Sequence, residues 1–205
     1  MKRRMLITAA GAAALAGCRR DARRRIGVVP KATSHLFFMS IKKGVDRAAR
    51  EFGVEVLWNG PSDETDHNRQ IQIVDAMVVQ RVDAIAIAAT DERALAAPLQ
   101  RARAAGIPVT IFDSGVLMDD YVTFVATDNR EAGRTAAQRL TELVGGSGDV
   151  AMVMQKPGGT STGLRETGFE EALKEGPVKI VARQYGMADP AKSRAAAENI
   201  LTAHP

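Results

Sequence analysis

AIAIAATDERALAAPLQRARAAGIPVTIF, residues Ala84 to Phe112, reads as one strand, one helix and a second strand. The β-type run Ala84–Ala88 comes first. Glu92 to Ala105 then carries helical spacing; Gly106 caps the helix and Pro108 blocks its continuation. Val109–Phe112 is the returning strand. Toward the N-terminus, Ile26–Pro30 and Val54–Trp58 are two further apolar runs, each followed by a segment of helical spacing. The first of those helices, from about Phe37 to Phe52, sets Ile41, Val45, Ala48, Ala49 and Phe52 on one face. The second, Arg69 to Gln80, turns Ile73, Val74 and Met77 inward. Strand starts at 26, 54, 84 and 109 recur every 25 to 30 residues, the length of a βα unit. That rhythm predicts an α/β fold, a doubly wound parallel sheet covered by helices on both faces.

After Phe112 the rhythm breaks. A loop at 114–120 leads into Tyr121–Ala126, and Asp128-Asn129 opens a helix to about Val144. A second series comes next: the strand Val150–Met154, a Gly-rich loop at Pro157–Gly163, a helix to Lys174, the strand Lys179–Tyr185 and the helix Pro190–Ala203. The junction falls near Thr127-Asp128, which divides the folded part into an N-terminal α/β lobe at 26–127 and a second α/β lobe at 128–205. With two clear strands, the second lobe would leave a sheet edge and the apolar sides of its helices uncovered. The expectation is therefore of two doubly wound parallel-sheet lobes, the second of them incomplete.

The N-terminus has a different character. Lys2, Arg3 and Arg4 precede an apolar, small-residue run from Met5 to Ala14 and then Leu15-Ala16-Gly17-Cys18. A charged start, a short apolar centre and small residues at the cut describe an export signal, too short to span a bilayer. Leu-Ala-Gly-Cys resembles the bacterial lipobox, which implies a signal peptide at 1–17, cleavage before Cys18 and diacylglycerol on its sulfur, with 18–25 as a basic tether. An ordinary signal peptide with an incidental thiol, or an uncut signal anchor, are the other readings. Arg3-Arg4-Met5-Leu6-Ile7 also resembles a twin-arginine start but lacks the rest of that pattern. The whole chain carries net +4. Ile26 to Pro205 alone holds 20 Lys+Arg against 23 Asp+Glu, a net of −3, so the basic character belongs to the leader and tether and argues against nucleic-acid binding. Cys18 is the only cysteine, and the fold must rest on its apolar core without a disulfide.

In an open parallel sheet, ligands bind beyond the carboxyl ends of the strands, so the segments after the strands carry the candidate residues. After the first strand, Pro30-Lys31-Ala-Thr-Ser-His35-Leu-Phe37-Phe38 has none of the glycines a dinucleotide turn requires. It offers instead a cation, hydroxyls, an imidazole and two phenyl rings, a mixture suited to a neutral polyhydroxylated ligand with apolar C–H faces. Either phenyl ring serves equally well as core. After the fourth strand, Asp113-Ser114-Gly115 places a carboxylate able to accept two hydroxyl hydrogen bonds, the alternative being an Asx turn. Gly158-Gly-Thr-Ser-Thr-Gly163 precedes a helix and could cradle an anion, though it lacks the ending of a nucleotide-binding loop. Arg165 lies within the first turn of that helix, directed either at the same crevice or at a surface ion pair with Glu166 or Glu170.

Catalysis finds little support. His35, His67 and His204 make no metal-ligand spacing, no Gly-x-Ser-x-Gly elbow is present, and no cysteine nucleophile remains if Cys18 is lipidated. No metal or cofactor is expected. Asp63, Glu64 and Asp66 read as a solvated turn that caps the next helix, and Trp58 as packing.

These features together resemble the sugar-binding periplasmic proteins of ABC importers, the type I group that includes the ribose-binding proteins. The stretches that carry the resemblance are Ile26–Phe38, Gly106–Asp113, Val125–Asn129, Gly159-Thr-Ser161 with Arg165 and Gly168-Phe169, and Ile200–Pro205. The resemblance implies two lobes that close on a sugar by a hinge motion and present it to a membrane permease, in a monomer held in the periplasm or cell envelope by its lipid. It implies that Lys31 and His35 are pocket-facing, that Phe37 and Phe38 stack on ligand, that Asp113 binds a diol and that Arg165 donates from the second lobe. Ser114 stands where ribose binders carry an arginine, His35 where they carry an asparagine, and Ala188 where an aromatic is usual, so pentose specificity does not carry over. Family members also continue beyond the point equivalent to Pro205. If 205 residues were the whole product, a folded first lobe, a poorly packed second lobe and little ligand affinity are expected. A lipoprotein that presents ligand to a chemoreceptor or histidine kinase, and a regulator core of the lactose-repressor type, are the alternatives; the second requires a DNA-binding segment where the leader stands. An extracytoplasmic enzyme comes last.

Overall fold

The computed structural model describes residues 23–205. The expectations for the leader and for Cys18 lie outside the described residues. The order is β1 (Arg25–Val29), α1 (Leu36–Phe52), β2 (Glu55–Trp58), α2 (His67–Val79), β3 (Ala84–Ile87), α3 (Ala96–Ala104), β4 (Val109–Phe112), β5 (Thr123–Val125), α4 (Asn129–Leu143), β6 (Gly148–Met154), α5 (Thr160–Leu173), β7 (Val178–Tyr185) and α6 (Pro190–Ala203). The first five strands form one parallel sheet in the order β2-β1-β3-β4-β5, with Ile26 paired to Val56 and Ala84, and Ile111 to Phe124. Because the crossovers run one way from β1 to β2 and the other way from β1 to β3, the strand order reverses at the β1/β3 pair. That gap at the carboxyl ends is where such a sheet opens a crevice.

Alternation along the strands divides the side chains between two faces. Val29, Ile85, Ile87, Val109 and Ile111 turn to the side of α2 and α3, where Ile73, Val74, Met77, Leu99 and Ala102 complete a closed core. The opposite side receives α1, and here Phe38 packs with Ala32, Ala88, Ile41, Trp58 and Phe112. One helix does not cover that face. Ile41, Val45 and Ala49 are therefore only partly buried, and Phe52, expected to point inward, is 73% exposed at the end of α1. Aspartate side chains cap the starts of α2, α4 and α6, from Asp66, Asp128 and Asp189. Asp66 accepts from Arg69 N at 2.8 Å and opens α2, as a capping aspartate should. Asp91 accepts from the amides of Arg93 and Ala94, which makes a separate turn of residues 92–95 and moves the start of α3 to Ala96, four residues later than the periodicity suggests.

Among the described residues the chain crosses once from this sheet to a second one, through the exposed segment Ala126–Asp128. The second sheet is the parallel pair β6-β7, with Gly148 opposite Val178 and Met154 opposite Tyr185. On it α4 and α5 lie so close together that a Cβ at Gly133 would strike the carbonyl of Arg165, and one at Gly168 the carbonyl of Arg130. The core beneath is small: Ala137, Val150, Leu173 and Val178, with Leu140, Phe169 and Ile180 around them. Leu143, Val153, Val181 and Leu201 remain exposed.

Candidate functional site

The crevice is lined by the segments after β1, β2, β3 and β4 in the first unit and by the segment after β6 in the second. Gln70, a fully buried polar residue on the inner face of α2, fixes the floor. Its Nε2 donates to the carbonyls of Pro30 (3.1 Å) and Ala88 (2.8 Å), and its Oε1 accepts from Thr90 N and Thr90 Oγ1, both at 2.8 Å. The ends of β1 and β3 are thereby held in one geometry.

Lys31, immediately beyond β1, is 4% exposed. Its ammonium donates to Ser114 Oγ at 3.0 Å and to Ser161 Oγ at 3.2 Å, and pairs with Asp113 Oδ2 at 3.0 Å and Glu64 Oε2 at 3.5 Å. Ser114 and Ser161 meet at 2.8 Å. Asp113 sits at the end of β4 with φ +58°, a left-handed backbone that few side chains adopt without a reason in the surrounding structure. The second unit closes the other side. Gln155 Nε2 donates to Glu64 Oε2 at 2.9 Å, and Lys156 Nζ donates to the carbonyl of Thr90 at 2.5 Å. The loop after β6 rests on the first unit as well, through Glu92 N to the Gly158 carbonyl (3.2 Å) and Thr160 Oγ1 to the Gly115 carbonyl (3.4 Å). Burial holds the Lys156 ammonium below the ordinary lysine range; Glu64 and Asp91 oppose that shift, and Lys31 adds to it.

An apolar hollow of about 500 Å³ adjoins this network, on the sheet face that α1 leaves open. Phe37, Phe112 and Val125 line it, the crossing segment Ala126-Thr127 borders it, and Asp113 belongs to both the hollow and the charged cluster. The arrangement offers hydroxyl-binding groups on one side and an apolar surface on the other.

The structure therefore brings Lys31, Asp113 and Ser114 together, with His35 at the rim, its Nδ1 3.7 Å from Glu64 Oε1. The two phenyl rings separate. Phe38 is 1% exposed and belongs to the core, edge-on to Phe37 at 5.1 Å, with the Lys31 ammonium 5.8 Å above its ring. Phe37, 53% exposed, is the ring that faces the hollow. Arg165 lies outside the cluster: its Nε donates to Asn129 Oδ1 at 2.8 Å, tying α5 to α4, and it makes no ion pair with Glu166 or Glu170. It stands one helical turn beyond Ser161, which meets Lys31 and Ser114 in the crevice.

The expectation for Glu64 is corrected outright. It is buried rather than solvated, because the turn after β2 folds it under Lys31 and Gln155. Gln155 and Lys156 are not marked by the sequence reading, whereas Ser161 lies in the Gly-rich segment 158–163 that it does mark. The same strand-end rule applied to β2 and β6 finds the region of all four, and Gln70 is marked by being a polar residue in line with Ile73, Val74 and Met77.

Residues 26–205 match the family model described as a periplasmic binding protein domain. The ribose import binding protein of Bacillus subtilis is 30% identical over 180 residues, an alignment that takes in 88% of this chain and 58% of that protein. The D-ribose/D-allose-binding protein of Pseudomonas aeruginosa is 33% identical over 189 residues, 88% of this chain and 59% of that one. Among solved structures, a carbohydrate transporter solute-binding protein from Agrobacterium radiobacter in complex with D-arabinose superposes with a TM-score of 0.86 at 30% identity, over 90% of this chain and 64% of that one. The chain thus spans about three-fifths of the length of the curated relatives it matches. Its five-stranded α/β unit, its second parallel unit and the crevice between them are the parts it shares with them, and the chain belongs to the periplasmic binding protein domain family.

Proposed function

We propose that this chain is the ligand-capturing part of an extracytoplasmic solute-binding lipoprotein of an ABC importer, and that it takes a sugar or similar polyhydroxylated molecule between its two α/β lobes. The lobes are 26–127 and 128–205, the lipid sits on Cys18, and a membrane permease receives the ligand. The observation that carries this reading is the composition of the crevice. Lys31 and Lys156 are balanced there by Glu64 and Asp113, so a neutral ligand meets no net charge. Ser114 and Ser161 add hydroxyl partners, and the adjoining hollow supplies an apolar surface for C–H faces. In this reading Asp113 accepts two ligand hydroxyls, Lys31 and Ser114 donate, Phe37 stacks and His35 closes the rim. Phe38 holds Lys31 from below, and Arg165 serves the second lobe instead of the ligand. The relatives' binding of ribose, allose and arabinose supports the ligand class.

Thermal unfolding of the full chain against a panel of neutral sugars, with calorimetry on those that shift it, tests the reading. A ligand present at about a thousand times its Kd stabilises the protein by about 4 kcal/mol, an easily seen shift. Asp113→Ala is expected to abolish most of that affinity by calorimetry, and also to lower the sugar-free melting temperature, because it takes the nearer counter-charge from buried Lys31. Binding of charged solutes with no response to any neutral sugar overturns the proposal.

A further inference from the structure

We infer that Glu64 is a positioning residue for closure: it is the shared counter-charge that lets Lys31 of one lobe and Lys156 of the other be buried in the same crevice. The inference rests on the reading above only in taking the two units to be lobes that close.

The two ammoniums reach the crevice from opposite sides, 4% and 7% exposed. Lys31 has a carboxylate of its own lobe in Asp113. Among the described residues Lys156 has none within ion-pair distance; its hydrogen-bond partners are the carbonyls of Thr90 and Pro157. Carbonyls satisfy its protons without neutralising its charge, and a buried ammonium without a counter-charge is costly. Glu64 supplies the missing charge for both. It lies 3.5 Å from Lys31, and of the carboxylates acting on Lys156 it exerts the strongest attraction, ahead of Asp91. Its second contribution is geometric: Gln155, the neighbour of Lys156, donates to the same carboxylate at 2.9 Å, so the segment that carries Lys156 is docked on the group that neutralises it. Closure therefore moves one positive charge toward another, and Glu64 stands where both can use it.

The test needs no sugar. Spin labels on cysteines placed at the exposed helix positions Arg47 and Gln138, in a Cys18→Ser background, report the distance between the lobes. The sugar-free protein is expected to show a short-distance, closed population. Glu64→Gln keeps an acceptor for Gln155 and removes the charge; it is expected to reduce the ratio of closed to open by about tenfold or more. Adding Lys156→Met to Glu64→Gln removes the stranded charge and is expected to restore closure, a recovery that a purely structural role for Glu64 does not give. If Glu64→Gln proves poorly folded by circular dichroism, Lys156→Met in the parent decides instead: with one of the two ammoniums gone the closed population is expected to hold or rise, and a fall overturns the inference. A single long distance in the parent, an unchanged closed population in Glu64→Gln, or no recovery in the double variant overturns the inference. Sugar calorimetry reports separately on the ligand reading: closure that obeys this pattern in a protein that binds no sugar refutes that reading and leaves Glu64 in its role.

Discussion

The 25–125 unit and the 129–203 unit are built from the same alternation of strand and helix, yet they hold together differently. In the first, β1, β3 and β4 bury one face under α2 and α3, and a contiguous set of aliphatic side chains from Val29 to Met118 is closed to solvent. In the second, two strands and their helices bury only a small apolar cluster of Ala137, Val150, Leu173 and Val178, and cohesion comes from α4 and α5 pressed backbone to backbone at Gly133 and Gly168. Area buried by large side chains stabilises the first; the absence of side chains permits the packing of the second. The same βα grammar is therefore sensitive to truncation of large residues in the first unit and to addition of small ones in the second.

The largest expected effect tests the first unit. Leu99→Ala empties a fully buried position between α3 and the sheet and is expected to cost about 2–5 kcal/mol. Urea unfolding followed by the fluorescence of Trp58, the only tryptophan and a resident of β2, measures it. A loss well under 1 kcal/mol there would erase the distinction drawn between the units. Next in size, Gly168→Ala is expected to cost about 1–3 kcal/mol by forcing α5 off the Arg130 carbonyl. Hydrogen exchange should accelerate in α4, α5, β6 and β7 while the Trp58 transition stays in place; a shift of that transition would mean the units unfold as one.

The smallest effect is one of pH. Burial raises the Glu166 carboxyl above its ordinary value of 4.5, against a hydrogen bond from Gln155 N. The folded state thus keeps a proton that the unfolded state has lost, and as pH climbs from the unfolded value through the folded one, Glu166 draws stability away. Glu166→Gln should melt higher than the parent at about pH 7 and converge with it near pH 4; parallel melting curves across that range would refute the assignment.

How much of this is legible in the sequence depends on the physics of each signal. Strand spacing and the turn residues Gly106 and Pro108 are local, so the first four strands and the strand-end positions of Lys31, Asp113 and Ser114 can be read directly. Periodicity misplaces Phe52 because it records which residues share a helix face and not whether anything covers that face. Glu64 and Gln155 touch across 91 residues of chain, and a carboxylate in a turn looks alike whether it is solvated or folded under an ammonium. Arg165 carries the right chemistry one helical turn away from the place that needs it.

Among the described residues, the short crossing at Ala126–Asp128 gives these contacts their leverage. Two bodies joined by so short a tether meet as solutes do at a local concentration of about a millimolar. An association that would go unnoticed between separate molecules, with a dissociation constant of about the same millimolar, then leaves the pair shut half the time. The handful of bonds linking Lys31, Glu64, Gln155 and Ser161 need supply no more than that, so a change in any one of them tips the balance instead of merely trimming it.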